Sequence, residues 1–145
     1  MEVEEDEIED EEIDDKNLYT RLDASSDSCK RTWNQIKANH TDISSLIISY
    51  NVFQDHGLLD WENEGGYIGL NTNVKKMVLF GVGRLVRDEG VEEIEQQTRY
   101  FLRGLSENRS IEHLSFHGCI TMEWITLLWP FFEHNSNLRQ IGFVN

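Results

Sequence analysis

One pattern of apolar residues recurs along the chain, and it restricts the possible fold more than any other feature of the sequence. In the two clearest copies, 27 residues apart, every member falls at the same offset: Leu102-x-x-Leu105-x-x-Asn108-x-x-Ile111-x-x-Leu114-x-Phe116 and Trp129-x-x-Phe132-x-x-Asn135-x-x-Leu138-x-x-Ile141-x-Phe143. Two looser copies precede them: Ile43-x-x-Leu46-x-Ile48-x-x-Asn51 and Ile68-x-x-Asn71-x-x-Val74-x-x-Met77-x-Leu79. One such unit cannot bury its apolar face alone, so the repeat predicts units that stack on their neighbours.

Each copy ends in a stretch whose apolar residues alternate with period two, which predicts strands near 44–50, 75–80, 112–117 and 139–144. The stretch before the third strand has helical spacing instead, with an apolar stripe formed by Val91, Ile94, Thr98, Phe101, Leu102 and Leu105. Alternating strands and helices predict a parallel sheet built by right-handed crossovers, with the helices on one side.

Three further helices are predicted: one whose apolar face holds Cys29, Trp33 and Ile36, a short or irregular one within 61–70, and one over 122–132 that Pro130 kinks or ends. Three tryptophans match core positions of the repeat, namely Trp33, Trp61 and Trp129, whereas Trp124 does not. Three asparagines stand three residues before the strands, at 71, 108 and 135. They fit a helix C-cap or a tight turn with left-handed backbone.

The stretch FLRGLSENRSIEHLSFHGC, residues 101–119, resembles the repeat unit of ribonuclease-inhibitor-like leucine-rich-repeat proteins. In that unit a helix ends in a polar turn with Asn and is followed by L-x-x-L-x-L-x-x-N/C. Cys119 and Asn51 occupy the last position of the signature, whereas Val82 departs from it. The resemblance covers roughly residues 30–145. It implies an α/β solenoid, a partial horseshoe of about four repeats with parallel strands on the concave face and helices on the convex face. It also implies a non-catalytic scaffold whose concave face binds a protein.

The chain is strongly acidic, and most of the excess lies at one end. Residues 1–28 hold 13 of the 27 acids and two bases, a net charge of −11, so only −3 of the total −14 belongs to the remainder. Such a segment cannot bury enough apolar surface to offset the entropy of ordering. We therefore predict an acidic disordered tail over 1–28 and a repeat domain over 29–145. The charge argues against nucleic-acid binding, because phosphate contacts need clustered Lys and Arg.

No apolar run is long enough to span a bilayer, and the N-terminus is too acidic for a signal peptide. We expect a protein of the cytoplasm or nucleus, without a membrane partner, in which Cys29 and Cys119 are buried thiols. The chain stops one residue short of completing the last strand motif and lacks a polar capping repeat. This indicates a fragment, an early-terminated product or one half of an oligomer.

Strand positions that alternate away from the core are expected to form a grid on the concave face, with Phe80 at its centre between Ser49 and His117. The partner-binding candidates are Ile47, Ser49, Lys76, Val78, Phe80, His113, Ser115 and His117. Apolar and aromatic points on an exposed sheet are typical of surfaces that bind proteins.

Catalytic and metal chemistry find little support in the sequence. His113 and His117 lie about 13 Å apart along one strand, too far to share a metal ion. Cys119 beside His117 suggests a thiol nucleophile, but the repeat turns Cys119 inward, where a thiol is inert. GVGRLV at 81–86 lacks a Walker lysine. We predict no enzyme activity, no cofactor and no metal.

Two classes of function stay open. The first is a protein-binding solenoid that uses the concave face. The second is an acidic-tail regulator, in which the first 15 residues bind basic proteins and the repeats only carry the tail. Salt separates them, because binding by the tail weakens steeply with ionic strength and apolar binding does not.

Overall fold

The computed structural model describes residues 19–24, 27–53, 59–80, 91–118 and 121–144, with residues 91–93 described by backbone only. Several sequence predictions lie outside these residues. They are the disorder of residues 1–15, the inward position of Cys119, and the place of Val82 in the repeat signature.

Five parallel strands form one sheet, and their order in space is their order along the chain. They are β1 (Thr20–Leu22), β2 (Ser45–Ser49), β3 (Lys76–Phe80), β4 (His113–His117) and β5 (Gln140–Val144). The four predicted strands are confirmed in position, direction and order. β1 was not predicted. It falls inside the range assigned to the acidic tail, so that prediction is wrong at its C-terminal end. Pairing with β2 places β1 in the sheet, because a three-residue strand has too little sequence pattern of its own.

Six α-helices and one 3₁₀ helix lie between the strands in the described ranges: α1 (Cys29–Lys37), the 3₁₀ helix (Tyr50–Phe53), α2 (Trp61–Glu64), α3 (Tyr67–Leu70), α4 (Val91–Leu105), α5 (Met122–Leu127) and α6 (Trp129–His134). The long amphipathic helix is confirmed as α4. The predicted irregular segment is two short helices separated by Gly65 and Gly66. Pro130 stands in the first turn of α6, where its missing N–H costs no helical hydrogen bond.

One apolar core joins one face of the sheet to the helices. Alternate residues of the strands enter it, for example Leu46 of β2, Met77 of β3 and Leu114 of β4. Each described helix, including the 3₁₀ helix, adds at least one buried side chain to the same cluster. The described helices therefore cover one face of the sheet, as the strand–helix alternation predicted.

Aromatic rings fill the middle of this core. Trp61 lies against Trp33, Phe53 and Phe101, with ring centroids 4.9 to 5.3 Å away. Each indole N–H has an acceptor: Trp61 donates to the carbonyl of Val52 at 3.0 Å, and Trp33 donates to the carboxylate of Glu64 at 2.8 Å. Buried tryptophans are stable in a core when the indole N–H is paired in this way.

The prediction that Trp129 packs in the core is wrong. Trp129 matches a core position of the repeat but is 53% exposed, whereas Trp124 matches none and is buried. Trp129 belongs to the last unit of the sheet, and no described unit follows to cover it. The sequence pattern identifies core positions but does not tell whether a neighbouring unit covers them.

The three repeat asparagines are buried, and each binds the unit before its own. The Nδ2 groups of Asn71 and Asn135 donate to the carbonyls of Ile36 and Ile111, at 3.0 and 2.9 Å. Asn71 and Asn135 are the C-cap residues of α3 and α6, as predicted. Their backbones are extended, with φ of −69° and −88°, so the expectation of left-handed backbone is wrong at both. Among the described residues other than glycine, the left-handed one is Asn39, with φ of 57°, two residues after the end of α1. The asparagines thus work through the side-chain amide, not through backbone freedom.

The helices approach most closely at glycines. A Cβ atom at Gly104 of α4 would overlap the carbonyl oxygen of Gly65, and one at Gly69 would overlap the carbonyl oxygen of Gly104. The backbones of α3 and α4 therefore pack without side chains between them at this point.

Among the described residues, no helix has the length and apolar character needed to cross a membrane.

Candidate functional site

The second face of the sheet, opposite the core, carries three rows of aligned residues. The rows are Ser45–Lys76–His113–Gln140, Ile47–Val78–Ser115–Gly142 and Ser49–Phe80–His117–Val144. The predicted grid is confirmed in its registry, including Phe80 between Ser49 and His117. Its expected place at the centre of the grid is wrong, because Phe80 is the last residue of β3 and lies in an outer row. The alternation of each strand separates these residues from the core side chains. In-register parallel pairing then lines them up across the sheet.

Burial divides the predicted binding residues into two groups. Ile47 is fully buried and Val78 is 5% exposed, although neither belongs to the core cluster on the other side. The expectation that these two side chains are accessible is therefore wrong. The other six are partly or fully exposed: Ser49, Lys76, Phe80, His113, Ser115 and His117. The alternation along a strand predicts the face on which a side chain lies. Whether other residues bury that face depends on segments distant in the sequence.

An aromatic contact between Phe80 and His117 lies on the second face at the C-terminal ends of β3 and β4. Their ring centroids lie 4.5 Å apart with an angle of 48° between the planes. Both side chains are half-buried, so each ring supports the other and still has an accessible surface. Because each ring already restricts the motion of the other, the two side chains lose little entropy when a partner covers them, which favours binding.

A second contact joins β4 and β5 at the opposite end of the strands. Nδ1 of His113 lies 3.0 Å from Oε1 of Gln140, next to Lys76 in the same row. Together with Tyr19 and residues of β5, these side chains border an open depression of about 380 Å³ on the second face. The depression offers hydrogen-bonding groups beside apolar ones, an arrangement typical of protein interfaces.

Tyr19 and the β5 residues that border this depression were not among the binding candidates. The alternation along β5 assigns Gln140 and Val144 to the second face, and this signal is enough to include them. Tyr19 lies just before β1, where the alternation of Tyr19, Arg21 and Asp23 with Thr20 and Leu22 is too short to predict a strand.

The described residues do not assemble a metal site. No group of three His, Cys, Asp or Glu side chains within the described ranges is arranged to hold a metal ion. Cys29 lies in the core and is 1% exposed. The chemistry that the second face offers is recognition by aromatic contact and hydrogen bonds.

Comparison with known proteins adds no identification. The sequence matches no protein-family model and no curated protein.

Proposed function

We propose that this protein is a non-catalytic binding module that takes up a partner protein on the second face of its sheet. The observation that carries the proposal is the Phe80–His117 ring pair, half-buried at the C-terminal ends of β3 and β4 on a sheet face whose opposite side already holds the core. Folding does not require a large aromatic side chain at that position, whereas binding of a partner does make use of one.

We also propose that the chain is built as a leucine-rich-repeat solenoid of the ribonuclease-inhibitor-like kind, with the second face as its concave side. Three features support this assignment. The strands follow one another in chain order, the helices share one face, and the asparagine of each repeat binds backbone of the preceding unit. Stacked units of this kind present their strands as one continuous recognition surface.

Replacement of Phe80 by Ser tests the proposed function. Binding should weaken by about 2 kcal/mol or more, as when a central aromatic contact is truncated, while the melting temperature stays near that of the unmodified protein. Leu70→Ser is the matched control, because Leu70 is 72% exposed and lies on α3, away from the second face. Partners captured by the full chain are identified first, and their affinities for the three proteins are then compared by calorimetry.

Two results would count against the proposal. Unchanged affinity of Phe80→Ser with an intact fold would show that the second face does not bind the partner. A large fall in melting temperature would show that Phe80 serves folding. Affinity that falls steeply with salt and is insensitive to Phe80→Ser would instead favour the regulator that binds basic proteins through residues 1–15.

A further inference from the structure

The core positions of the last repeat unit are exposed where their equivalents in the preceding unit are buried. Leu102, Leu114 and Phe116 are at most 2% exposed. Their equivalents are much more accessible: Trp129 is 53% exposed, Ile141 37% and Phe143 53%. Phe143 stacks on Phe116 with one face, at 5.5 Å between ring centroids, and leaves the rest of its ring uncovered. These three side chains form an apolar end surface at β5.

The backbone at this end is also unpaired within the described part of the chain, since β5 is the last strand of the sheet. Gln140 donates to the carbonyl of Glu112, and the carbonyl of Val144 accepts from Gly118, so both residues direct their peptide groups towards β4. Alternate residues of a strand direct their N–H and C=O groups to opposite edges. The peptide groups of Ile141 and Phe143 therefore point away from β4, to the free edge of the sheet. An edge with free peptide groups beside apolar side chains is a template for another strand.

We propose that a second copy of this chain occupies the end surface, with the two β5 strands antiparallel about a two-fold axis at Gly142. The register is self-complementary. It sets Ile141 of each copy opposite Phe143 of the other, and both residues have outward N–H and C=O groups. Each such pair exchanges two hydrogen bonds and brings an aliphatic and an aromatic side chain together on the core side. Such an interface uses the same surface of both copies and closes on itself.

The distribution of charge favours this two-fold arrangement over a head-to-tail one. Residues 119–145 hold two acids and one base, a net charge of −1, whereas residues 1–28 hold a net charge of −11. A two-fold axis at Gly142 joins the two nearly neutral ends and keeps the acidic segments at the far ends. Head-to-tail stacking instead puts every β5 against β1, the strand that lies within the acidic segment. The inference is independent of what the second face binds.

Sedimentation of the full chain tests the proposal. The unmodified protein should sediment as a dimer, and Phe143→Glu should raise the dimer dissociation constant by roughly 100-fold or more, because the substitution places two carboxylates in the interface. Leu70→Glu is the control, since it adds the same charge at an exposed leucine far from β5 and should leave the dimer intact. Circular dichroism melting verifies that each variant folds. A monomeric unmodified protein, or a dimer unaffected by Phe143→Glu, would overturn the proposal.

A cysteine cross-link tests the register separately. In the proposed pairing Gln140 of one copy lies opposite Val144 of the other, within the Cα distance of about 4.4–6.8 Å that a disulfide needs. A mixture of Gln140→Cys and Val144→Cys proteins should therefore form the 140–144 disulfide on mild oxidation, as identified by peptide mass mapping. Neither variant alone should yield a dimer linked through its new cysteine. A dimer whose mixture lacks the 140–144 link would overturn the antiparallel pairing.

Discussion

The side-chain amide of Asn108 donates to the backbone carbonyl of Asn71 at 3.0 Å, which joins one repeat asparagine to the next. The same amide donates to the carbonyl of Ile68 at 2.8 Å. Its Oδ1 accepts from the N–H groups of Ser110 and Ile111, at 2.8 and 2.9 Å. Asn108 is fully buried, so these bonds form where water cannot replace them.

Asn108→Ala should therefore lower the free energy of unfolding by at least about 2 kcal/mol, since it leaves buried backbone groups on two units without partners. That exceeds the roughly 1 kcal/mol of an ordinary helix cap. Urea unfolding monitored by circular dichroism measures it. Asn137→Ala is the control, because its exposed bond to the carbonyl of Arg109 is open to water and its loss should cost about 0.5 kcal/mol or less. Equal losses in the two variants would contradict the special role of Asn108.

Gly104→Ala should destabilise the protein by about 2 kcal/mol or more, although alanine is the better helix former. The added Cβ would overlap the carbonyl oxygen of Gly65, which is backbone and cannot rotate aside. Gly66→Ala is the matched control, because its Cβ meets no atom within 4 Å and its φ is −65°. It should stabilise by about 0.5 kcal/mol, since it restricts the unfolded chain. Thermal melting of both variants measures whether each substitution raises or lowers the melting temperature. A stabilising Gly104→Ala would show that α3 and α4 pack differently.

Glu64 should make stability depend on pH in the acid range. The hydrogen bond from Lys37, at 2.8 Å, lowers the pKa of Glu64 most, and the bond from Trp33 adds to this while burial opposes it. Because the pKa is lower in the folded state, the contribution is complete above the ordinary glutamate pKa of about 4.3 and is lost as the pH falls through the lowered value.

Glu64→Gln should accordingly be less stable than the unmodified protein at neutral pH, and the difference should shrink once the pH falls below the lowered pKa. Urea titrations at neutral pH and at a series of falling acid pH values measure this. Glu62→Gln is the control on the same helix, where the exposed side chain should change stability little. A difference at Glu64 that persists unchanged in acid would refute the charge-based explanation.

His117→Ala should weaken partner binding less than Phe80→Ser does, because the smaller ring gives up less apolar contact. If the ring pair acts as a unit, the double variant should lose less affinity than the sum of the two single losses. Calorimetry of the four proteins measures the coupling. Strict additivity would show that the 4.5 Å contact between the rings has no part in binding.

The sequence by itself determined the positions of four strands, the amphipathic helix before β4, and the alignment of Ser49, Phe80 and His117. These features depend on local periodicity and on a repeat, both of which are visible in the printed residues. A period of two residues in a strand, or of about 3.6 residues in a helix, assigns each side chain to one face of that element. The assignment does not depend on what packs against the face.

Only the tertiary structure decided which faces are covered. It placed β1 in the sheet by pairing with β2, buried Ile47 on the second face, and left Trp129 and Phe143 exposed at the last strand. It also showed that the side-chain amides of the repeat asparagines bind backbone carbonyls of the preceding unit. The burial of a sheet face and the pairing of a strand both depend on segments distant in the chain. The residue pattern within one segment does not predict which segments lie next to it in space.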